Sequence, residues 1–167
     1  MMFRQWQGIL LTWGLVVAVG LIAIVGHERT LSEGRLVLLE LAPVDPRSLM
    51  QGDYMALRFA LDDQVAARTS ALSQVPSYAL LAVDEQGRTS LSELSDSART
   101  EEAMVSMRLR QQGRRLTLGP NAFFFQEGTA AVYEEARWGG FRVAANGQAL
   151  LVSLHDEALQ PLAGQRR

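Results

Sequence analysis

Residues 8–26 read GILLTWGLVVAVGLIAIVG, and the fold is decided by what that run is. It carries no ionisable side chain, and at about 1.5 Å of rise per residue a helix over it reaches about 28 Å, close to the hydrocarbon thickness of a bilayer. The run is therefore expected to be a membrane helix. Thr12 can return its hydroxyl to a backbone carbonyl, and Trp6, just outside the run, suits an interfacial aromatic position. Gly14 and Gly20 do not make the GxxxG pairing spacing. A cleaved signal peptide fits poorly, because it needs a shorter apolar core and small residues at the third and first positions before the cut. Cutting after Gly20 would leave LIAIVG as a bare apolar start, and cutting after Gly26 would place Ile24 at the third position. Arg4 and the amino terminus before the run, against His27, Glu28, Arg29 and Arg35 after it, give little positive-inside contrast. A short flank, one helix and then a domain is nonetheless the layout of a signal anchor, which implies the N-terminus in the cytoplasm and the domain outside. The expected organisation is an anchor over 1–27, a polar linker over 28–34 and a domain over 35–167.

Composition removes chemistry from that domain. The chain of 167 residues has a net charge of −2, and after residue 27 fifteen arginines face eighteen acids, so neither nucleic acid nor anionic lipid is attracted by charge alone. There is no cysteine, which excludes disulfides, thiolate metal sites and thiol nucleophiles. There is no lysine either, which excludes a Schiff base, a phosphate-loop lysine and a Ser/Lys dyad, since guanidinium cannot shift its pKa into range. Only His27 and His155 could join carboxylates around a zinc ion, so no metal and no cofactor is expected.

Beyond the linker the periodicity is that of strands. Arg35 to Ala42 is short, apolar and bounded by Gly34 and Pro43. Tyr54 to Leu61 alternates, with Met55, Leu57, Phe59 and Leu61 on one face. Asp62 to Gln74 is helix-like, and Ser77 to Val83 is a strand closed by a DEQG turn. Further strands are expected over 88–94 and Ala103 to Arg110, the latter with Val105, Met107 and Leu109 inward, turned by QQGR toward Arg114 to Leu118. EGTAAVYEEAR reads as a short helix with Trp138 near its end. Gly140 to Ala144 and Gln148 to Leu154 flank Asn146-Gly147, whose positive φ angles would make a tight hairpin. The fold class expected is one N-terminal transmembrane helix plus a predominantly antiparallel β domain with one or two short helices.

Turn chemistry is densest in PVDPRSLMQGDYMALRF, residues 43–59. Asp45 before Pro46 suits a helix N-cap, and Gly52 suits the left-handed residue after one helical turn. Asp53 can accept from loop amides, Tyr54 can pack its ring, and Arg47 or Arg58 can pair with carboxylates. Capping and packing thus account for the stretch without a ligand. The string Gly52-Asp53-Tyr54-Met55-Ala56-Leu57-Arg58-Phe59 also resembles the signature of the GDYXXLXY family of bacterial membrane-anchored proteins, with Phe59 in place of the final tyrosine. PVDPRSL, FFFQEG at 123–128, Tyr133, RWGGFRV and ANGQALLVSLHDE are similar to the family's pattern as well. The resemblance implies a single N-terminal helix in the bacterial inner membrane, an extracytoplasmic domain and a multi-pass membrane protein as partner, and it supplies no catalytic residue. The binding candidates are Asp45, Arg47, Gly52, Asp53, Tyr54, Leu57, Arg58, Phe59 and Glu127.

Two function classes remain. A membrane-anchored hydrolase would need carboxylate pairs facing across a cleft, or His155 as a base with Asp156 or Glu157. The adjacent pairs Asp62-Asp63, Asp84-Glu85, Glu101-Glu102 and Glu134-Glu135 read as solvated faces, His155 as a surface histidine, and Glu127 as a buried ion-pair partner of Arg137 or Arg142. An accessory or interaction subunit fits better, docking through its helix and the face carrying Tyr54 and Arg58, with Trp138 a further contact candidate.

Overall fold

The structure, a computed structural model, describes residues 2–42, 54–70, 72, 74–99, 101, 103–113, 115–125 and 129–162, and the backbone alone at 2–5 and 7–11. Its first element, α1 (Met2–Glu33), does not end where the apolar run ends. Glu28, Arg29, Leu31 and Glu33 favour helix and no breaker precedes Gly34, so the segment expected as a linker is helical through Glu33. Thr30 and Ser32 return their hydroxyls to the carbonyls of Gly26 and Glu28 at 3.0 and 2.8 Å. At Gly34 a side chain would collide with the Thr30 carbonyl, which accepts the Gly34 N–H at 3.1 Å. Arg142 Nη1 donates to the Gly34 carbonyl at 2.8 Å, and Thr30 is 3% exposed. The helix is thus clamped to the body with no flexible spacer.

The body comprises β1 (Arg35–Glu40), β2 (Tyr54–Ala56), α2 (Ala60–Thr69), β3 (Tyr78–Val83), β4 (Thr89–Ser95), β5 (Met104–Arg108), β6 (Arg110–Gln112), β7 (Arg115–Thr117), β8 (Ala122–Phe124), α3 (Ala130–Tyr133), β9 (Trp138–Val143) and β10 (Ala149–His155). The strands form sheets β1-β9-β10 and β4-β3-β5, with two-stranded ribbons β2-β8 and β6-β7, every ladder antiparallel. The larger sheets are joined at two seams. Leu38 N donates to Gly87 O at 2.7 Å and Thr89 Oγ1 to Leu38 O at 2.8 Å, while Arg108 N donates to Gly147 O at 2.9 Å beside the β9–β10 turn. Between them lies one core: Val37, Leu39, Phe141 and Leu154 from one sheet and Ala79, Leu81, Val105 and Met107 from the other are at most 2% exposed. Burial on this scale, at roughly 25 cal/mol per Å² of apolar surface, is what holds the sheets together.

Two expectations about elements need correction. The alternation from Tyr54 to Leu61 is real in its facing, since Met55, Leu57, Phe59 and Leu61 are all buried, but the strand ends at Ala56. Phe59 keeps an extended backbone, bridging Leu41, and α2 begins at the next residue, so Leu61 turns inward from a helix together with Val65. Trp138 lies in no helix; it opens β9, half-buried, opposite Glu40 and His155. The hairpin at Asn146-Gly147 forms, with one difference. Only Gly147 takes positive φ, at 82°, and Asn146 instead accepts the Gln148 N–H with its side chain at 2.9 Å. That is a three-residue loop with a left-handed glycine, matched at Gly87 in the β3–β4 turn. There Asp84 accepts from Gln86 N, Arg88 N and Arg88 Nε, and the Arg88 hydrogen bond foremost holds its carboxyl below the usual carboxylate range.

Candidate functional site

Asp45, Arg47, Gly52, Asp53 and Glu127 lie outside the described residues, so the motif is seen from Tyr54 onward. Its leucine and final aromatic are core. Leu57 is 7% exposed, and its N–H donates to Asn121 O at 2.7 Å. The Phe59 ring meets Phe141 edge-on at 5.3 Å between centroids and lies against Gly119, where a side chain would have no room, and Gly139, where one would be tight. Such edge-to-face pairs contribute about 0.5–1.5 kcal/mol beyond their burial. Phe59 thus packs its ring into the core from a position 1% exposed.

Tyr54 and Arg58 face the other way. Tyr54 is half-buried against Phe124, its cross-strand partner, with centroids 5.8 Å apart, while the Phe124 ring is 75% exposed. Arg58 donates through Nη2 to both carboxylate oxygens of Asp63, at 2.6 and 2.7 Å, on an open surface. Arg137 and Arg142, considered as partners for Glu127, donate to backbone carbonyls: Ala136 and Glu134 for the first, Gly34 for the second.

The adjacent acids do not behave as equals. Asp84-Glu85 and Glu134-Glu135 are exposed, as expected, and Asp63 serves Arg58. Asp62 is half-buried in the first turn of α2, where its Oδ1 accepts the N–H of fully buried Leu118 at 2.9 Å. Desolvation pushes its pKa up, against the pull of that hydrogen bond. A carboxyl whose folded pKa is raised contributes stability below its ordinary value near pH 4, and that contribution is lost as pH rises through the raised value. Asp62→Asn keeps the acceptor without the charge, so it is expected to be neutral to stabilising at pH 7, with the gain shrinking toward pH 4. Asp62→Ala orphans the Leu118 N–H and is expected to cost about 1–3 kcal/mol at either pH. Urea unfolding of both variants at the two pH values checks this, and equal losses in both variants would contradict it.

His155 is no surface histidine. It is 7% exposed at the end of β10, and its partners are neither Asp156 nor Glu157. Its Nε2 lies 2.8 Å from Ser153 Oγ, and its Nδ1 lies 3.0 Å from the Leu159 carbonyl. The carbonyl can only accept, so Nδ1 donates to it, and in the neutral ring Nε2 is then the acceptor for the serine hydroxyl. A register shift between Leu151 and Ser153 sets both side chains over Gly140, while Leu159 takes φ 61°, a strained value for a non-glycine residue, in the turn that returns to Pro161. A serine hydrogen-bonded to an oriented histidine is an arrangement that activated nucleophiles share, and here both side chains are set against the backbone of β9. The space over Gly140 is filled by Ser153 Oγ and His155 Nε2 themselves. The pair acts as a lock between β9, β10 and the turn after β10. No sequence pattern announced it, because the bulge that aligns the two residues is invisible in spacing. Among the described residues no three His, Asp or Glu side chains gather to hold a metal ion.

A single long apolar helix among the described residues, continuous with a small antiparallel β body that displays Phe124 at its surface, defines a class of helix-bearing β proteins. Within it the family is specific: the model of the GDYXXLXY protein family matches residues 16–154, and the chain belongs to that family. No curated protein and no solved structure matches the chain.

Proposed function

We propose that the chain is a membrane-anchored accessory or interaction subunit of the bacterial inner membrane, its body outside the cytoplasm and docked onto a multi-pass integral membrane protein. The observation that carries this reading is the apolar helix itself. From Thr12 to Glu33 it is long and apolar enough to cross a membrane, and Trp13, Val19, Ile22 and Ile24 are each more than half exposed. Among the described residues nothing covers that surface, so lipid or another membrane helix is its natural solvent. The clamp at Gly34 supports docking, because a body fixed to its anchor reaches a membrane partner without the entropy cost of ordering a linker. The face of Tyr54 and Phe124 supplies the kind of exposed aromatic that anchors interfaces.

A photo-crosslinking residue at position 124, introduced in the full chain in its native membrane, tests the partner. The expected result is one crosslinked product with a protein of several membrane spans, lost in an Arg58→Glu/Tyr54→Ala variant that still folds. Crosslinks only to lipid, or to water-soluble proteins, would overturn the partner reading.

A further inference from the structure

The net charge of the body conceals an asymmetry. From Ala103 to Gln126 the sequence has no acid and four arginines, Arg108, Arg110, Arg114 and Arg115. Three of these are described, and all three are exposed on β5 and the β6–β7 ribbon, whose tip turns at Gly113 with φ 62°. The ribbon begins close to the helix exit. Arg110 Nη2 points to the Ala149 carbonyl at 3.4 Å, and Ala149 lies in one cross-strand row with Val143 and Arg35, the residue at which β1 leaves α1. Two strand spacings, roughly 10 Å, separate Ala149 from Arg35 in that row. Arg142, next to Val143, is the residue that clamps Gly34, and Arg29 is exposed one turn before the helix ends. Arg29, Arg108, Arg110, Arg115 and Arg142 have no carboxylate partner among the described residues, where the ion pairs are Arg58–Asp63 and Arg88–Asp84. Glu28 and Glu33, exposed on α1 itself, are acids that oppose them at this exit.

We infer that this basic collar is a docking surface for anionic phospholipid headgroups, with the β6–β7 ribbon lying on the membrane that α1 enters. The inference rests on the anchored reading above. From Gly26, the end of the apolar run, to Glu33 the helix rises only about 10 Å, which is the depth of a headgroup layer. Because the exit is clamped, arginines beside it are held at the height where phosphates lie, and guanidinium matches phosphate oxygens in charge and geometry. Charge that nearly cancels over the whole body therefore acts locally, within a Debye length of about 8–10 Å.

The chain has no cysteine, so Gln112→Cys takes a single fluorophore at the ribbon tip. Full-length protein in nanodiscs with a nitroxide-headgroup lipid is compared between zwitterionic discs and discs with 30% phosphatidylglycerol. Quenching is expected to rise about threefold or more in anionic discs and to fall back in 0.5 M salt. An Arg110→Gln/Arg115→Gln variant, and Arg115→Gln alone should the double variant misfold, is expected to lose most of that rise. Three results would overturn the inference: equal quenching in both lipids, a rise that the variants keep, or a label that answers to oligonucleotide and not to lipid. A chain that never enters the discs fails the anchored reading, and the collar falls with it.

Discussion

Gly119→Val is expected to prevent the body from folding, and Gly119→Ala to destabilise it by about 2–3 kcal/mol, at the upper end of what overpacking a core costs. A Cβ at 119 would stand 2.6 Å from Phe59 Cε2 and 2.7 Å from Phe141 Cζ. Those contacts are with ring edges that are at most 1% exposed, and each ring is held by more than its neighbour. Phe59 is the residue before α2 and bridges Leu41, and Phe141 is the middle of the central strand β9. Neither can swing aside without moving an element. Phe59→Ala alone leaves a cavity and is expected to cost about 3–5 kcal/mol. The two changes share one space, so Gly119→Ala/Phe59→Ala is expected to be less destabilised than the sum of its parts by about 1–2 kcal/mol. Chemical unfolding of the four proteins in detergent measures this, and strictly additive losses would show that the ring does not fill the space at Gly119. In this chain Phe59, the last residue of the motif, is a packing residue.

How far such an outcome could be read from the sequence differs from residue to residue. The alternation Met55, Leu57, Phe59 was legible because burial has a period of two in extended chain, and it holds even where the ladder has ended. Where the strand ends was not legible. Leu61 continues the alternation by coincidence, since a helix started at Ala60 also turns its second residue inward, and no side chain caps α2 to mark the switch. In the polar segment HERTLSEG, residues 27–34, composition points the other way. Polarity suggests a loop, yet its residues form helix, and Gly34 is the stop. Ser153 and His155 became a pair through a bulge, and Phe59, Gly119 and Phe141 met only through the fold, so no spacing rule connects them. Motif residues are visible in a sequence, but their partners depend on topology. The basic collar shows the same limit, because a net charge sums over a surface whose arginines the β6–β7 ribbon gathers at one place.

Val19→Arg/Ile22→Arg is expected to release the chain from the membrane fraction, the second large effect. The two positions are 59% and 72% exposed on α1, so both substitutions fall on open helix surface. In the middle of a membrane span each arginine costs about 2.5–3.5 kcal/mol of insertion free energy, and two exceed what the remaining apolar residues can offset at the margin of insertion. The body should be indifferent, because α1 meets β9 and β10 at its final turns, around Thr30 and Gly34, and the core draws on no residue before β1. Alkaline carbonate extraction should therefore leave the wild type in the pellet and the variant in the supernatant. Protease resistance of the body, read on the same samples, should match between the two. Release of both proteins would remove the membrane from the account, whereas retention of both would place the helix against a protein surface that tolerates charge. A variant that is released and degraded would show instead that the helix supports the fold, contrary to a core that begins at Val37.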